Sequence, residues 1–145
     1  MGAKIYDSKE VTVVVCGIPI DSIGGYADGE FLTIEQAEQD FMSVVGTDGE
    51  VSRSKSNNRM ATITLSLMQT STANAALSAL NNIDVAAKNG AGVGPLMIKD
   101  RQGTALYSAS KCWISKPPDV TFDRTATARA WEITCADLVR LDGGN

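Results

Sequence analysis

The most regular pattern in the chain is "MATITLSLM". Ala61, Ile63, Leu65 and Leu67 fall on one side, and Thr62, Thr64 and Ser66 on the other. A period of two predicts a strand with one dry face and one wet face. Immediately afterwards "TSTANAALSALNNI" changes period. Ala73, Ala76, Leu77, Leu80 and Ile83 make a helical stripe. The spacing predicts a helix of about three turns over residues 71–83, with Thr70 or Ser71 as N-cap. Upstream, "EVTVVVCGIPI" places Val11, Val13 and Val15 on one face and Thr12, Val14 and Cys16 on the other. Both faces are largely apolar, so a well-covered strand is expected there. Gly17 and Pro19 break it.

The stretch "EFLTIEQAEQDFMSVVGTDGE" fits two templates. Ile34, Ala37, Phe41 and Val45 would suit a helical face. Phe31 to Ile34 and Phe41 to Val45 suit two short strands, which the "VVGTDG" strand-then-turn ending favours. "KNGAGVGP" reads as a flexible surface connection; it lacks the GK[ST] ending of a phosphate loop. "LMIKDRQGTALYSASKCWI" reads as a hairpin around "DRQG", and "SKPPD" as a rigid exposed break. "ARAWEITCADLVRL" reads as a last strand with Trp131, Ile133 and Cys135 on one face, followed by a loose tail. The sum is six or seven strands with one helix between strand groups. The expected class is mainly β, a sandwich or small barrel carrying one helix, as a single domain over residues 1–145.

Composition sharpens this picture in three places. The 145 residues are 43% hydrophobic but only 6% aromatic, so the core must be built from aliphatic side chains. No window approaches the roughly 18 apolar residues of a membrane span, and the first twenty residues do not resemble a secretory signal. No membrane insertion is expected. Net charge is −4, which argues against a dedicated nucleic-acid reader. Its distribution is uneven. Residues 10–52 hold nine acids and no base, whereas residues 53–145 hold eleven bases and seven acids. Complementary ends of this kind steer one copy toward another.

Candidate chemistry is sparse. The chain contains no histidine, which removes Ser-His-Asp and Cys-His nucleophilic systems and most zinc ligand sets. Cys16, Cys112 and Cys135 are far apart in sequence with apolar neighbours, and read as buried reduced thiols. No cofactor or metal is expected. The carboxylates of "DSKE", "TIEQAEQD" and "KDR" read as a solvated acidic face. Ser52, Ser54 and Ser56 alternate with Arg53 and Lys55, but the run is short and has no interleaved aromatics for base stacking. An exposed loop or hairpin arm is the better reading. The row Thr62, Thr64 and Ser66 suits the wet side of an antiparallel sheet, and would also suit the wall of an aqueous channel formed by several copies.

The segment "VVGTDGEVSRSKSNNRMATITLSLMQTSTANAALSAL" resembles the centre of tail tube proteins from contractile-tailed bacteriophages. In that group a strand leads to a GxDG turn, a basic polar loop, a Thr-rich alternating strand and an "LLQTSxAND"-like helix start. The likeness is strongest over Phe31 to Leu80, and extends more weakly to "YADGEFLTIE" and "TFDRTATARAWEITCADL". The stretch "KNGAGVGPLMIKDRQGTALYSASKCWISKPP" carries no distinctive motif.

The resemblance implies a tail tube fold, a β-sandwich with one helix and a long protruding loop at about 46–59. It implies a structural, non-enzymatic subunit that forms six-membered rings stacked into a hollow tube. That tube conducts DNA during ejection, surrounds a tape-measure protein and lies inside a sheath protein, in a virion assembled in the host cytoplasm. DNA would pass through without sequence-specific binding. Carried over, the ring-stacking loop contributes Asp48, Glu50, Arg53, Lys55, Asn57, Asn58 and Arg59, and Thr62, Thr64 and Ser66 are candidates for the lumen face. Two alternatives stay open. One is a small β-sandwich binding module whose basic loop 52–59 engages an acidic partner; the other is the inner tube of a related contractile injection particle. Deleting Ser52 to Asn58 should leave the domain folded and prevent stacking, which negative-stain microscopy reads as loss of tubes; normal polymerisation of the deletion variant would refute the loop assignment.

Overall fold

A computed structural model describes residues 3–144. Among the described residues the chain forms ten strands and two α-helices. Strand β1 (Val11–Val15) turns through Cys16 and Gly17 into the short β2 (Ile18–Pro19), and one helical turn, α1 (Ile20–Ile23), follows. Then come β3 (Leu32–Gln36), β4 (Phe41–Val45), β5 (Val51–Lys55) and β6 (Ala61–Met68). Helix α2 (Ala73–Ala86) separates these from β7 (Gly94–Asp100), β8 (Leu106–Lys116), β9 (Ala128–Cys135) and β10 (Leu138–Leu141).

All the strands except β4 and β5 belong to one antiparallel sheet, ordered β2-β1-β7-β8-β9-β6-β3, with β10 also beside β8. Leu32 and Ile34 of the edge strand β3 line the same hollow as Val11 of β1 and Ile98 of β7. The two ends of the sheet therefore approach one another, and the sheet curls toward a barrel. Its inward side chains meet in one cluster: Val13 and Val15 from β1, Ile63, Leu65 and Leu67 from β6, Leu96 and Ile98 from β7, Ile114 from β8, and Trp131 and Ile133 from β9. Ala73 and Leu77 of α2 and Ile20 of α1 join the same cluster.

The alternation of β6 is realised as expected, with Ala61, Ile63, Leu65 and Leu67 buried and the intervening residues half-buried or exposed. The ambiguous stretch forms two strands and not a helix. The helix expected at about 71–83 is present and runs from Ala73 to Ala86. Three expectations need correction. The helix N-cap position is Thr72, although the Ser71 hydroxyl still accepts a hydrogen bond from the Ala73 amide at 3.2 Å. Ile83 of the expected apolar stripe is 55% exposed, because the helix outruns the sheet that covers its first two turns. The supposed last strand is two, β9 and β10. Both keep one register along β8, with Cys135 opposite Cys112 and Leu138 opposite Ala109. Ala136 between them still donates to the Lys111 carbonyl at 3.0 Å.

Helix α2 is fastened to the sheet by a polar contact as well as by apolar packing. The buried Trp131 indole Nε1 donates to Asn74 Oδ1 at 2.9 Å. Asn74 Nδ2 in turn donates to the Met68 and Ser71 carbonyls. The proline-bearing connection after β8 is pinned by Arg129, whose buried guanidinium donates to Thr127 Oγ1 and the Thr121 carbonyl.

Leu65→Ala should lower the unfolding free energy by about 3 kcal/mol in urea titrations, the usual cost of truncating a fully buried leucine. Asn74→Ala should cost about 1–3 kcal/mol by leaving the Trp131 N–H without its acceptor, measured by the same titration followed through tryptophan fluorescence. A neutral result would show that water replaces the amide.

Candidate self-association surface

The residues of the expected basic loop lie largely in a hairpin. Strands β4 and β5 pair in antiparallel register from Phe41 opposite Lys55 to Val45 opposite Val51, and form a two-stranded sheet separate from the main one. The expected loop 46–59 is thus shorter and stiffer than a loop. Residues 46–50 make the turn, Val51–Lys55 is a strand, and residues 56–60 return the chain to β6. The serine, arginine and lysine of "VSRSK" hid this strand, since they show no apolar alternation.

The turn is closed by local bonds. Gly46 N donates to the Glu50 carbonyl at 2.8 Å, Gly49 N to the Gly46 carbonyl, and Glu50 N to Asp48 Oδ1. Gly49 has φ 86°, a left-handed conformation in which glycine avoids the Cβ penalty. Asp48 thus shapes the tip, and Glu50 takes part through its backbone.

Every residue of β4 and β5 is exposed. Met42 is 65% exposed, Val44 67%, Val45 65% and Val51 62%. An isolated two-stranded hairpin is marginal in water, and apolar side chains on it gain nothing from the core beneath. Arg53 lies over the Phe41 ring of the facing strand, 4.3 Å from its centroid. Lys55 is exposed on the last residue of β5, and Asn57 is exposed just after it.

The base of the hairpin is a polar clamp. Arg59 forms an ion pair and hydrogen bond with Asp40. Gln36 Nε2 donates to Asp40 Oδ1 at 2.8 Å and to the Glu38 carbonyl. Ser56 N donates to the Asp40 carbonyl, and its hydroxyl bonds to Glu38 Oε2 at 3.0 Å. Asn58 Oδ1 accepts from the Met60 amide. Arg59 and Asn58 therefore work within the chain, fixing where the arm leaves the sheet. Sequence reasoning assigned both to a stacking loop and did not identify Gln36, Glu38 and Asp40, which lie across the hairpin from them.

Thr62, Thr64 and Ser66 stand together on the outward face of β6. Register sets Thr62 between Glu35 and Thr134, and Thr64 between Thr33 and Glu132. Thr134 Oγ1 donates to Ser115 Oγ at 2.9 Å. The face across β3, β6, β9 and β8 is thus rich in hydroxyls and carries Glu35 and Glu132, with Lys116 opposite Glu132. Among the described residues no group of acids and cysteines is arranged to hold a metal ion, and no helix is long and apolar enough to cross a membrane.

The arm is an exposed surface with apolar side chains, and the face of β6 is one of hydroxyls. A curated relative, structural protein ORF10 of Pseudomonas phage KPP10, is 29% identical over 144 residues, covering 97% of this chain and 83% of that protein. The solved anti-feeding prophage cap, which terminates that particle's tube, shares the fold with a TM-score of 0.58 at 10% identity, covering 97% of this chain and 93% of that one. The family model of the bacteriophage PhiTE tail tube protein matches residues 5–143, and the chain belongs to that family.

Proposed function

We propose that this chain, acting as one domain, is the self-assembling subunit of a phage tail tube, and that the β4–β5 arm is its stacking element. The observation that carries the reading is the exposed apolar arm. Met42, Val44, Val45 and Val51 project from a hairpin with no core of its own, so only a neighbouring molecule can shield them. A second exposed apolar patch lies elsewhere, at Val120 and Phe122 beside the groove lined by Ala75, Pro117 and Trp131. Two unlike surfaces suit a head-to-tail contact, which propagates into rings and stacked rings.

In this reading six copies close a ring, rings stack into a hollow tube, and the hydroxyl face of β6 lines the channel. Thr62, Thr64 and Ser66 would offer DNA hydrogen-bonding partners of no fixed sequence preference, while Glu35 and Glu132 repel its phosphates. DNA then passes without being held. A tape-measure protein occupies the channel during assembly, a contractile sheath surrounds the tube, and the product resides in the virion after assembly in the host cytoplasm. The carboxylates of residues 10–52 and the bases of the later chain orient successive copies. Arg53 and Lys55 remain displayed for that purpose, whereas Arg59 is already paired with Asp40.

Replacing Met42, Val44 and Val51 together by Ser should leave the urea midpoint of the monomer nearly unchanged, since exposed substitutions cost at most about 0.5 kcal/mol each. The same variant should fail to form tubes by electron microscopy and sedimentation. Tubes of normal length would sink the assignment of the arm. Top views of wild-type tubes showing a symmetry other than sixfold would overturn the ring size alone.

A further inference from the structure

Three cysteines distant in sequence meet in the fold. Cys112 of β8 lies opposite Cys135 of β9 on one side and opposite Gly94 of β7 on the other. Cys16 occupies the tight turn between β1 and β2, with φ 51°. Its Sγ lies 3.3 Å from Cys112 Sγ and 3.2 Å from the Cys112 carbonyl oxygen. Gly94 makes this approach possible. A Cβ on residue 94 would stand 3.0 Å from Cys16 Cα and 3.3 Å from its Cβ, so any larger residue would push the turn away. All three thiols are free, with Cys112 and Cys135 buried and Cys16 half-buried at the rim. Hydrogen bonding to Cys112, together with burial, holds Cys16 and Cys135 above the ordinary thiol range. Cys112, hydrogen-bonded with the Cys135 and Cys16 thiols, is drawn below it.

We propose that Cys16 and Cys112 are a site of reversible disulfide formation, with a small disulfide of the glutathione type as oxidant. Cys16 is the point of attack because it alone of the three reaches the surface. Its proton passes to the Cys112 sulfur 3.3 Å away, and the Cys16 thiolate so formed attacks one sulfur of glutathione disulfide and releases one glutathione thiol, leaving a mixed disulfide on Cys16. Cys112 then attacks the Cys16 sulfur and expels the second glutathione. Two protein thiols are oxidised, one glutathione disulfide is reduced, and the two thiol protons leave with the two glutathiones. The new bond fastens the β1–β2 turn to the middle of β8 across the gap at Gly94. In reducing surroundings the thiols stay open, and in oxidising surroundings the bond is favoured. The proposal rests on these contacts and not on the assembly reading.

The test uses the folded full chain incubated with glutathione disulfide. After quenching, free thiols counted in denaturant should fall from the three present at the start to one. The intact mass should drop by two hydrogens, and peptide mapping without reductant should join Cys16 to Cys112. Cys135→Ala should still close this bond, and Cys16→Ser should not. A persistent glutathione adduct on Cys16, a bond from Cys112 to Cys135, or three unreacted thiols would each overturn the proposal. Because mapping is done on the wild-type chain, it decides the matter even where a variant folds poorly.

Discussion

The ladder between β6 and β9 is the constraint from which the remaining structure follows. It runs without a slip from Ala61 opposite Cys135 to Met68 opposite Ala128. Period-two side chains mean that one register places Ile63 and Leu65 beside Ile133 and Trp131 on the dry face, and Thr62 and Thr64 beside Thr134 and Glu132 on the wet face. A slip by one residue would turn both sets over at once. Everything else attaches to this pair. The arm enters at the first end of β6, α2 leaves from the other, and Trp131 of β9 reaches up to Asn74 to hold that helix down.

The arm then presents a conflict that the isolated chain does not resolve. Its polar base is well satisfied by Gln36, Asp40, Ser56 and Arg59, so its direction is set before any partner arrives. Its apolar body is solvated, so its energy is not. In the proposed assembly, fixing direction while leaving apolar area uncovered would lower the ordering cost of association and keep the driving force for the interface. Asp40 and Arg59 are both partly exposed, and such a pair contributes little to global stability. Its value is in aiming the arm.

What was legible in the sequence was whatever had a clean period. The strands β1 and β6 and the first turns of α2 carry one apolar face each, and burial follows that face. The arm was half legible. "FMSVV" announced a strand, but "VSRSK" contributes pairing through its backbone and the contact of Arg53 with Phe41, and neither leaves a mark on side-chain hydropathy. The split of the last strand into β9 and β10 was hidden for the opposite reason. The alternation shifts by one between Cys135 and Leu138, but both segments pair with β8, and a shift that short is lost in a run of apolar residues. The clamp partners Gln36, Glu38 and Asp40 were read only as an acidic face, since nothing local tells a carboxylate that meets an arginine nineteen residues later from one that meets water. The thiol cluster was invisible in the same way. Three well-separated cysteines read as independent until β1, β7, β8 and β9 bring them into one row.

Charge and apolar area now take separable roles. The basic cluster Arg53, Lys55 and Arg59 drew attention first, yet Arg59 is spent on Asp40 and Arg53 is laid over Phe41. What the arm offers a neighbour is therefore chiefly aliphatic: Met42, Val44, Val45 and Val51. Exposed charges interacting across a Debye length of about 8 Å at physiological salt are largely screened, whereas apolar burial is not. In the proposed assembly, the acidic early chain and basic later chain would govern how copies approach and which way they face. The valines and methionine of the arm would govern whether they stay.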